Sequence, residues 1–363
     1  MNYLKSGTLL EHGKYRIIEA IGRGGFGITY LAEHTRVRRQ VCIKEFFPEC
    51  YCSRIQDGSE TCLTSDRFAL PMDRFKAKFI KEAQIIAEVK HDGIVPVYDV
   101  FEENNTAYYV MEYIDGETLS SLVQRSGAIK EQEAIEYIRQ VADALEYIHS
   151  RKIMHLDIKP SNIILRHSDN RVVLIDFGLS KHYDVHSGEA TSTTPVGYSH
   201  GFAPMEQYKQ GGVGEFSPET DIYSLGATLY YLVVGAIPPD ALAIADDGLP
   251  KLPRYLSTNL CKVIERSMAE KRKQRPHSIK EFLALFNEGT TVAEVIAPSL
   301  QNAVVTSDSN ENQQSDDESN KKVILVVLVI IVLIVVVVLV IKYWEYILGI
   351  FFLLLFLPSL LKR

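Results

Sequence analysis

Strand-like segments dominate the first hundred residues of the chain. RIIEAIG, GITYLAEH, QVCIKEFF and TAYYVMEYI are rich in β-branched and aromatic residues and are separated by glycines or polar turns. One helical pattern interrupts them, because FKAKFIKEAQIIAEV places Phe75, Phe79, Ala83 and Ile86 at helical spacing. The pattern predicts a β-rich lobe with one helix over residues 15–112, preceded by a short leader at residues 1–14.

Helical patterns dominate after residue 117. In EQEAIEYIRQVADALEYIHS one apolar stripe is formed by Ile135, Ile138, Ala142, Leu145 and Ile148. The segment DIYSLGATLYYLVVG is apolar on nearly every side, which is typical of a helix buried inside a lobe. We therefore predict an α+β fold in which the β-rich lobe is joined, through a hinge at 112–116, to a larger helical lobe at 117–288.

The chain changes character after residue 288. The segment SDSNENQQSDDESN is polar, acidic and free of aromatic residues, so residues 289–322 are predicted to form a disordered linker. Residues 323–341 carry no polar side chain and would make a helix of about 28 Å, close to the hydrocarbon thickness of a bilayer. This run predicts a transmembrane helix.

A second apolar run at 347–361 follows the aromatic segment KYWEY and precedes Lys362 and Arg363. Basic residues on both sides favour a membrane hairpin with both ends in the cytosol, and a single span with a short tail is the alternative. Both topologies predict a membrane protein whose folded domain is cytoplasmic. With little chain left for an external sensor, input is expected through self-association, the membrane or another protein.

Charge and cysteine content narrow the class of protein further. The net charge of −7 gives no reason to expect a nucleic-acid partner. Five cysteines, an odd number, and an N-terminus without a signal-peptide core indicate a reducing compartment. Cys50, Cys52 and Cys62 cluster, but zinc needs a fourth ligand and usually a C-x-x-C pair, which favours a loop with free thiols over a metal site.

The glycine-rich segment GRGGFG lies between two predicted strands. A following strand, where a dinucleotide-binding fold would have a helix, argues against that fold. Glycines in a hairpin also allow backbone N–H groups to approach phosphate oxygens. The next strand carries Lys44 among apolar residues, where burial of its charge would require a negatively charged partner. Glu82 on the predicted helix can be that partner. The alternative is that Lys44 and Glu82 form an ordinary ion pair on the surface.

Two later segments, HLDIKPSN and LIDFGLSK, hold polar groups at short spacing. Asp157, Lys159 and Asn162 cannot share one strand face, but they can converge from a loop on one charged ligand. Together with GGFGITY, VCIK, VMEY, APMEQY and DIYSLG, these segments resemble protein kinases, and more narrowly the eukaryotic-like Ser/Thr kinases of bacteria. The resemblance covers about residues 15–287.

The resemblance implies transfer of the terminal phosphoryl group of ATP, with Mg²⁺ or Mn²⁺, to Ser and Thr hydroxyls of protein substrates. It implies that Asp157 orients the acceptor hydroxyl and takes its proton, and that Lys159 neutralises the γ-phosphate. Lys44, held by Glu82, would grip the α- and β-phosphates. The sequence KPSN after Asp157 fits Ser/Thr specificity.

The resemblance also implies the binding residues. The metal ligands would be Asn162 and Asp176. Adenine would bond to the carbonyl of Glu112 and the N–H of Ile114, with Met111 behind it. The implied ATP-binding residues are Ile21, Gly22, Gly24, Gly25, Gly27, Thr29, Lys44, Met111, Glu112 and Ile114.

Structural roles are implied for other residues of the same motifs. His155 is expected to pack near the Phe of the DFG motif, and Asp221 to accept backbone N–H groups of the loop that carries Asp157. Glu206 and Arg275 are expected to form a buried ion pair. None of these residues is expected to touch the substrate.

The sequence departs from the family mildly at Thr29 and Cys42, which replace the usual Val and Ala, and more strongly at two other places. Leu156 replaces the Arg that normally binds a phosphate on the loop between Gly178 and Ala203, so activity is predicted not to require that phosphate. The chain between Lys44 and Glu82 is longer than a minimal kinase needs, and the excess predicts an extra hairpin or a regulatory contact. The alternatives to an active kinase are a nucleotide-binding pseudokinase and a membrane signalling scaffold.

Overall fold

The computed structural model describes residues 2–55, 58–177, 199–208 and 216–287. Its contacts divide the chain into two compact units, and the first, Met1–Ile296, contains every described residue. The predicted linker at 289–322 and the apolar runs at 323–341 and 347–361 lie outside these residues. Among the described helices, none is long and apolar enough to cross a membrane.

The small lobe is built on an antiparallel six-stranded sheet. Its strands and single long helix follow in the order β1 (Leu9–Leu10), β2 (Tyr15–Arg23), β3 (Gly27–His34), β4 (Arg39–Phe46), α1 (Ala69–Ala87), β7 (Val97–Glu103) and β8 (Thr106–Glu112), with a two-stranded hairpin β5 (Cys52–Arg54) and β6 (Thr61–Leu63) before α1. The strand order in the sheet is β1-β2-β3-β4-β8-β7. The predicted β-rich lobe with one helix is thereby confirmed.

The helix α1 packs on the sheet through the predicted stripe, with Phe79, Ala83 and Ile86 buried and Phe75 half-buried. The same face also buries Glu82, a charged residue that apolar periodicity does not explain. A carboxylate that leaves water needs compensation by positive charge or hydrogen bonds. The helix therefore carries a functional group into the lobe along with its apolar face.

Residues 2–14, which we interpreted as a leader, pack on the small lobe. Strand β1 pairs with β2, matching Leu10 with Tyr15, and the side chains of Leu4 and Leu10 are buried in the small-lobe core. The backbone N–H of Leu4 also donates to the hydroxyl of Tyr30 at 3.1 Å. The N-terminal residues therefore complete the sheet.

The large lobe is mainly helical, as predicted. Its elements are β9 (Gly116–Thr118), α2 (Leu119–Ser126), α3 (Glu131–His149), β10 (Ile163–Arg166), β11 (Val172–Leu174), α4 (Pro218–Val234), α5 (Ala241–Asp247), α6 (Thr258–Ser267) and α7 (Ile279–Leu285). Helix α4 is buried along almost its whole length and lies in a core separate from that of the small lobe. This separation gives the two-lobed architecture.

The cysteine-bearing segment contains the β5–β6 hairpin. Cys52 is buried, whereas Cys50 and Cys62 are exposed, and all three are free thiols. Within the described residues, no cluster of three or more His, Cys, Asp or Glu side chains could hold a metal ion.

Candidate active site

The glycine-rich turn joins β2 to β3. The N–H of Gly24 donates to the carbonyl of Gly27 at 2.8 Å, which closes the turn, and Gly22 pairs with Thr29 across the hairpin. A Cβ on Gly27 would lie 2.6 Å from the carbonyl oxygen of Glu45, whereas one on Gly25 would meet nothing within 4 Å. Only Gly27 is therefore required by close packing against β4. Ile21, at the end of β2, exposes 47% of its surface.

Lys44 on β4 lies at the centre of the predicted phosphate site. Its ammonium group bonds to the Oδ1 atom of Asp176, and the hydroxyl of Tyr109 donates to the same oxygen at 3.3 Å. Burial alone would lower the pKa of Lys44, but the charges of Asp176 and Glu82 raise it above its ordinary value. The structure therefore pairs Lys44 with Asp176, and the charge of the buried Glu82 also favours the protonated lysine.

The loop that carries Asp157 gathers three further polar groups. Lys159 Nζ lies 3.0 Å from Asp157 Oδ2, and Asn162 Nδ2 donates to the same oxygen at 2.9 Å. The hydroxyl of Ser199 donates to Asp157 Oδ1 at 2.5 Å and accepts from Lys159 Nζ at 3.0 Å. Asp157 is therefore fixed from three sides, and Ser199 is a site residue that the sequence reasoning missed.

Asn162 and Asp176 approach each other across this loop. Asn162 Nδ2 lies 3.4 Å from the backbone carbonyl of Asp176 and 2.9 Å from that of Asp157. The side-chain oxygen of Asn162 and the carboxylate of Asp176 are hard oxygen donors of the kind that Mg²⁺ prefers. The donor set that these residues present therefore fits a magnesium ion.

Asp221, at the start of α4, holds the backbone before Asp157. Its Oδ2 accepts the N–H of His155 and its Oδ1 the N–H of Leu156, both at 2.8 Å, which confirms the sequence prediction. His149 Nε2 also lies 2.8 Å from Oδ2, a contact that the sequence did not reveal. Burial would raise the pKa of Asp221, but the hydrogen bond from His149 and the nearby positive charge hold it below its ordinary value.

Leu156 has a left-handed backbone, with φ at +64°, and its side chain is buried. A leucine pays a steric cost in this region, so the surroundings must impose the conformation. Asp221 binds its N–H, and the side-chain amide of Gln207 donates to its carbonyl at 3.0 Å. The next residue, Asp157, is therefore oriented by two contacts from the large lobe.

Two other predicted contacts are also present. The rings of His155 and Phe177 stack with centroids 4.5 Å apart. Arg275 Nη1 lies 2.6 Å from Glu206 Oε1, and both side chains are almost fully buried within the large lobe. These contacts support the structural roles predicted for them.

The predicted adenine-binding residues lie at the end of β8. Met111 and Ile114 are buried, and the carboxylate of Glu112 pairs with Arg39 at 2.8 Å. Thr29 stands opposite Lys44 in the β3–β4 register. The structure thus places the hinge next to the strand that carries Lys44.

Two lobes, a glycine turn beside a partly buried lysine, and a loop that carries a carboxylate are the architecture of a protein kinase. Residues 15–286 match the family described as "Protein kinase domain", and the chain belongs to this family. The chain is 32% identical to serine/threonine-protein kinase PknA of Nostoc over 77% of its own length and 48% of that protein. It is 34% identical to PrkC of Bacillus subtilis over 66% of its length and 33% of that protein.

One solved structure agrees with this family assignment, and a second shares the fold. A structure titled "PpkA-294 apo form" is 33% identical, has a TM-score of 0.69, and aligns over 79% of this chain and 100% of its own. The kinase domain of Mycobacterium tuberculosis PknI is similar in fold, with 24% identity, a TM-score of 0.57, and coverage of 79% of this chain and 98% of that one. The chain spans about half or less of the length of the curated relatives given above.

Proposed function

We propose that the chain is a Ser/Thr protein kinase that transfers the terminal phosphoryl group of ATP to hydroxyls of other proteins. The observation that carries this proposal is the arrangement around Asp157, with Lys159 at 3.0 Å and Asn162 at 2.9 Å. Phosphoryl transfer needs aligned groups and neutralised charge rather than covalent catalysis, and this loop offers both. The names of the relatives support the same activity.

In this mechanism the acceptor hydroxyl gives its proton to the carboxylate of Asp157 as its oxygen attacks the terminal phosphorus, and the bond to the β-phosphate oxygen breaks to release ADP. Lys159 and Lys44 offset the negative charge on the transferred and remaining phosphates. Asp176 and Asn162 would hold Mg²⁺, which when bound neutralises charge on the phosphate oxygens. The glycine turn would cover the phosphates of ATP, and adenine would bind at the hinge that follows Glu112.

The test is phosphate transfer from labelled ATP and Mg²⁺ to a generic basic protein. Asp157→Asn should abolish transfer while ATP binding persists, because the substituted side chain lies on the acceptor side of the site. Lys44→Met should weaken both binding and transfer. ATP binding without transfer by the unsubstituted protein would instead support the pseudokinase alternative.

The proposal includes a membrane anchor, supported by the apolar run at 323–341 and the basic residues that flank it. The kinase domain would then act at the cytoplasmic face, tethered by the linker at 289–322. Cell fractionation tests this part of the proposal. The full chain should resist alkaline extraction from membranes and a chain ending at residue 320 should not; equal partitioning of the two would contradict the anchor.

A further inference from the structure

The segment between β4 and α1 has no role in the proposed mechanism, yet it packs closely on the small lobe. We call its described residues, 48–55 and 58–64, the insert. The N–H of Thr61 donates to the carbonyl of Asn104 at 2.9 Å, and Asn105 Nδ2 donates to the carbonyl of Thr61 at 3.1 Å. Both contacts tie β6 to the β7–β8 turn, so the insert is held against the sheet.

A buried ion pair fixes the insert to the strand of Lys44. Arg54 Nη2 lies 2.6 Å from Oε2 of Glu45, the residue after Lys44, and the two side chains are 4% and 0% exposed. The hydroxyls of Tyr30 and Tyr108 donate to the two oxygens of the same carboxylate at 2.8 and 2.9 Å. A charge pair buried to this degree tolerates little displacement, because loss of either partner leaves an uncompensated charge.

A chain of aromatic rings then leads from the insert to the glycine turn. Tyr51 stacks on Phe75 of α1 with centroids 5.9 Å apart and planes inclined by 13°. Phe75 also contacts Phe26, the aromatic residue inside GRGGFG, with ring centroids 5.6 Å apart. The carbonyl of Phe26 also accepts the N–H of Phe47 at 2.9 Å. Phe26 in the glycine turn therefore contacts a helix residue, Phe75, that the insert contacts as well.

We propose that the insert is a built-in positioning element for the nucleotide. Tyr51 does not act on the nucleotide directly; it holds the ring of Phe75, which supports Phe26 and keeps the glycine turn over the phosphate site. Arg54 fixes the insert to Glu45, the residue that follows Lys44. The glycine turn and Lys44 are therefore both positioned by the insert. The inference rests on the proposed function, since it assigns the insert a role in ATP binding by the same site.

The experiment uses the full chain and measures KM for ATP, kcat and the Kd for a fluorescent ATP analogue. Tyr51→Leu keeps an apolar side chain but removes the stacked ring. Loss of such an aromatic pair, if it weakens ATP binding by the full energy of the pair, lowers the affinity about two- to tenfold. We expect KM for ATP and Kd to rise by that factor while kcat stays within about twofold. Phe282→Leu is the matched control, because Phe282 forms an aromatic pair with Phe286 at 5.4 Å in the large lobe, and neither ring belongs to the insert or the glycine turn.

A double substitution separates positioning from general stability. Tyr51 and Phe26 are linked through Phe75, so Tyr51→Leu should add little to the rise in KM and Kd already caused by Phe26→Leu. The inference would be overturned if the effects of Tyr51→Leu and Phe26→Leu multiplied in the double variant, or if Tyr51→Leu and Phe282→Leu had equal effects on KM and Kd. If ATP binds but its phosphoryl group is not transferred, the proposed function fails. The inference is then tested by the Kd values of the variants relative to that of the unsubstituted protein. If no nucleotide binds, both fail.

Discussion

Replacement of Asp221 by Asn probes how the large lobe holds the catalytic loop. The carboxylate is fully buried and receives N–H groups from His155 and Leu156 and the imidazole of His149, each at 2.8 Å. An Asn side chain has nearly the same shape but only one acceptor oxygen. Its NH₂ group would point at a backbone N–H, so one donor must lose its partner inside the protein.

The expected cost follows from these contacts. Losing a hydrogen bond to a charged group costs about 1.5–3 kcal/mol, and leaving a buried donor unsatisfied costs about 1–3 kcal/mol more. We therefore expect Asp221→Asn to lower the free energy of unfolding by about 3–5 kcal/mol, a shift of about 6–10 °C in Tm. Because the peptide groups that move lead directly into Asp157, kcat should also fall by about tenfold or more.

The assay combines thermal unfolding with steady-state kinetics, and Asp143→Asn on the exposed side of α3 is the control. Its carboxylate is 68% exposed, so the substitution should change stability by less than about 0.5 kcal/mol. The pKa of Asp221 is lowered in the folded state from an ordinary value of 3.8. The stabilisation is therefore fully present above pH about 4 and is lost as the pH falls through the lower folded pKa.

Two results would refute this reasoning. If Asp221→Asn unfolds at the temperature of Asp143→Asn and keeps its kcat, the carboxylate does not hold the loop. If the variant is less stable by a constant amount from pH 7 down to acid unfolding, the ionised form of Asp221 is not what stabilises the fold.

Three other outcomes are expected. Gly27→Ala should raise KM for ATP about tenfold or more, because the added Cβ would lie 2.6 Å from a carbonyl oxygen of β4. Gly25→Ala is the control, because its Cβ would have no atom within 4 Å, and its KM should stay within about twofold of the unsubstituted protein. Equal KM values for the two variants would contradict this prediction. Tyr109→Phe removes a hydrogen bond worth about 1 kcal/mol to Asp176 and should lower kcat/KM about fivefold, and an unchanged value would exclude that role. Because Leu156 is buried and cannot receive a phosphate, phosphatase treatment should leave kcat within about twofold, and a large loss would refute phosphate independence.

Much of the fold could be read from the sequence, because periodicity and glycine spacing report on local structure. Helix α1 and the buried α4 follow directly from their apolar patterns. The motif residues Asp157 and Lys44 were recognisable because they stand at fixed offsets within short segments. The roles of all of these positions in catalysis remain predictions that the kinetic experiments test.

Other features depend on contacts between segments far apart in the chain. Ser199 reaches Asp157 across 42 residues, and no local spacing indicates that contact. Tyr109 directly follows Tyr108 and both side chains are buried, so the sequence pattern does not indicate which of the two hydroxyls contacts Asp176. From its strand pattern alone, the charged Glu45 would be expected to face solvent. Its burial is explained only by the ion pair with Arg54 of the insert.

The buried N-terminal segment has a practical consequence for work on isolated fragments. The family match begins at residue 15, which suggests Tyr15 as a starting point for expression. A fragment cut there would lose the buried side chains of Leu4 and Leu10, each worth about 1.5–3 kcal/mol, and would uncover apolar surface at the border of the sheet. Soluble, well-behaved material is therefore to be sought in fragments that retain the residues from Asn2 onward.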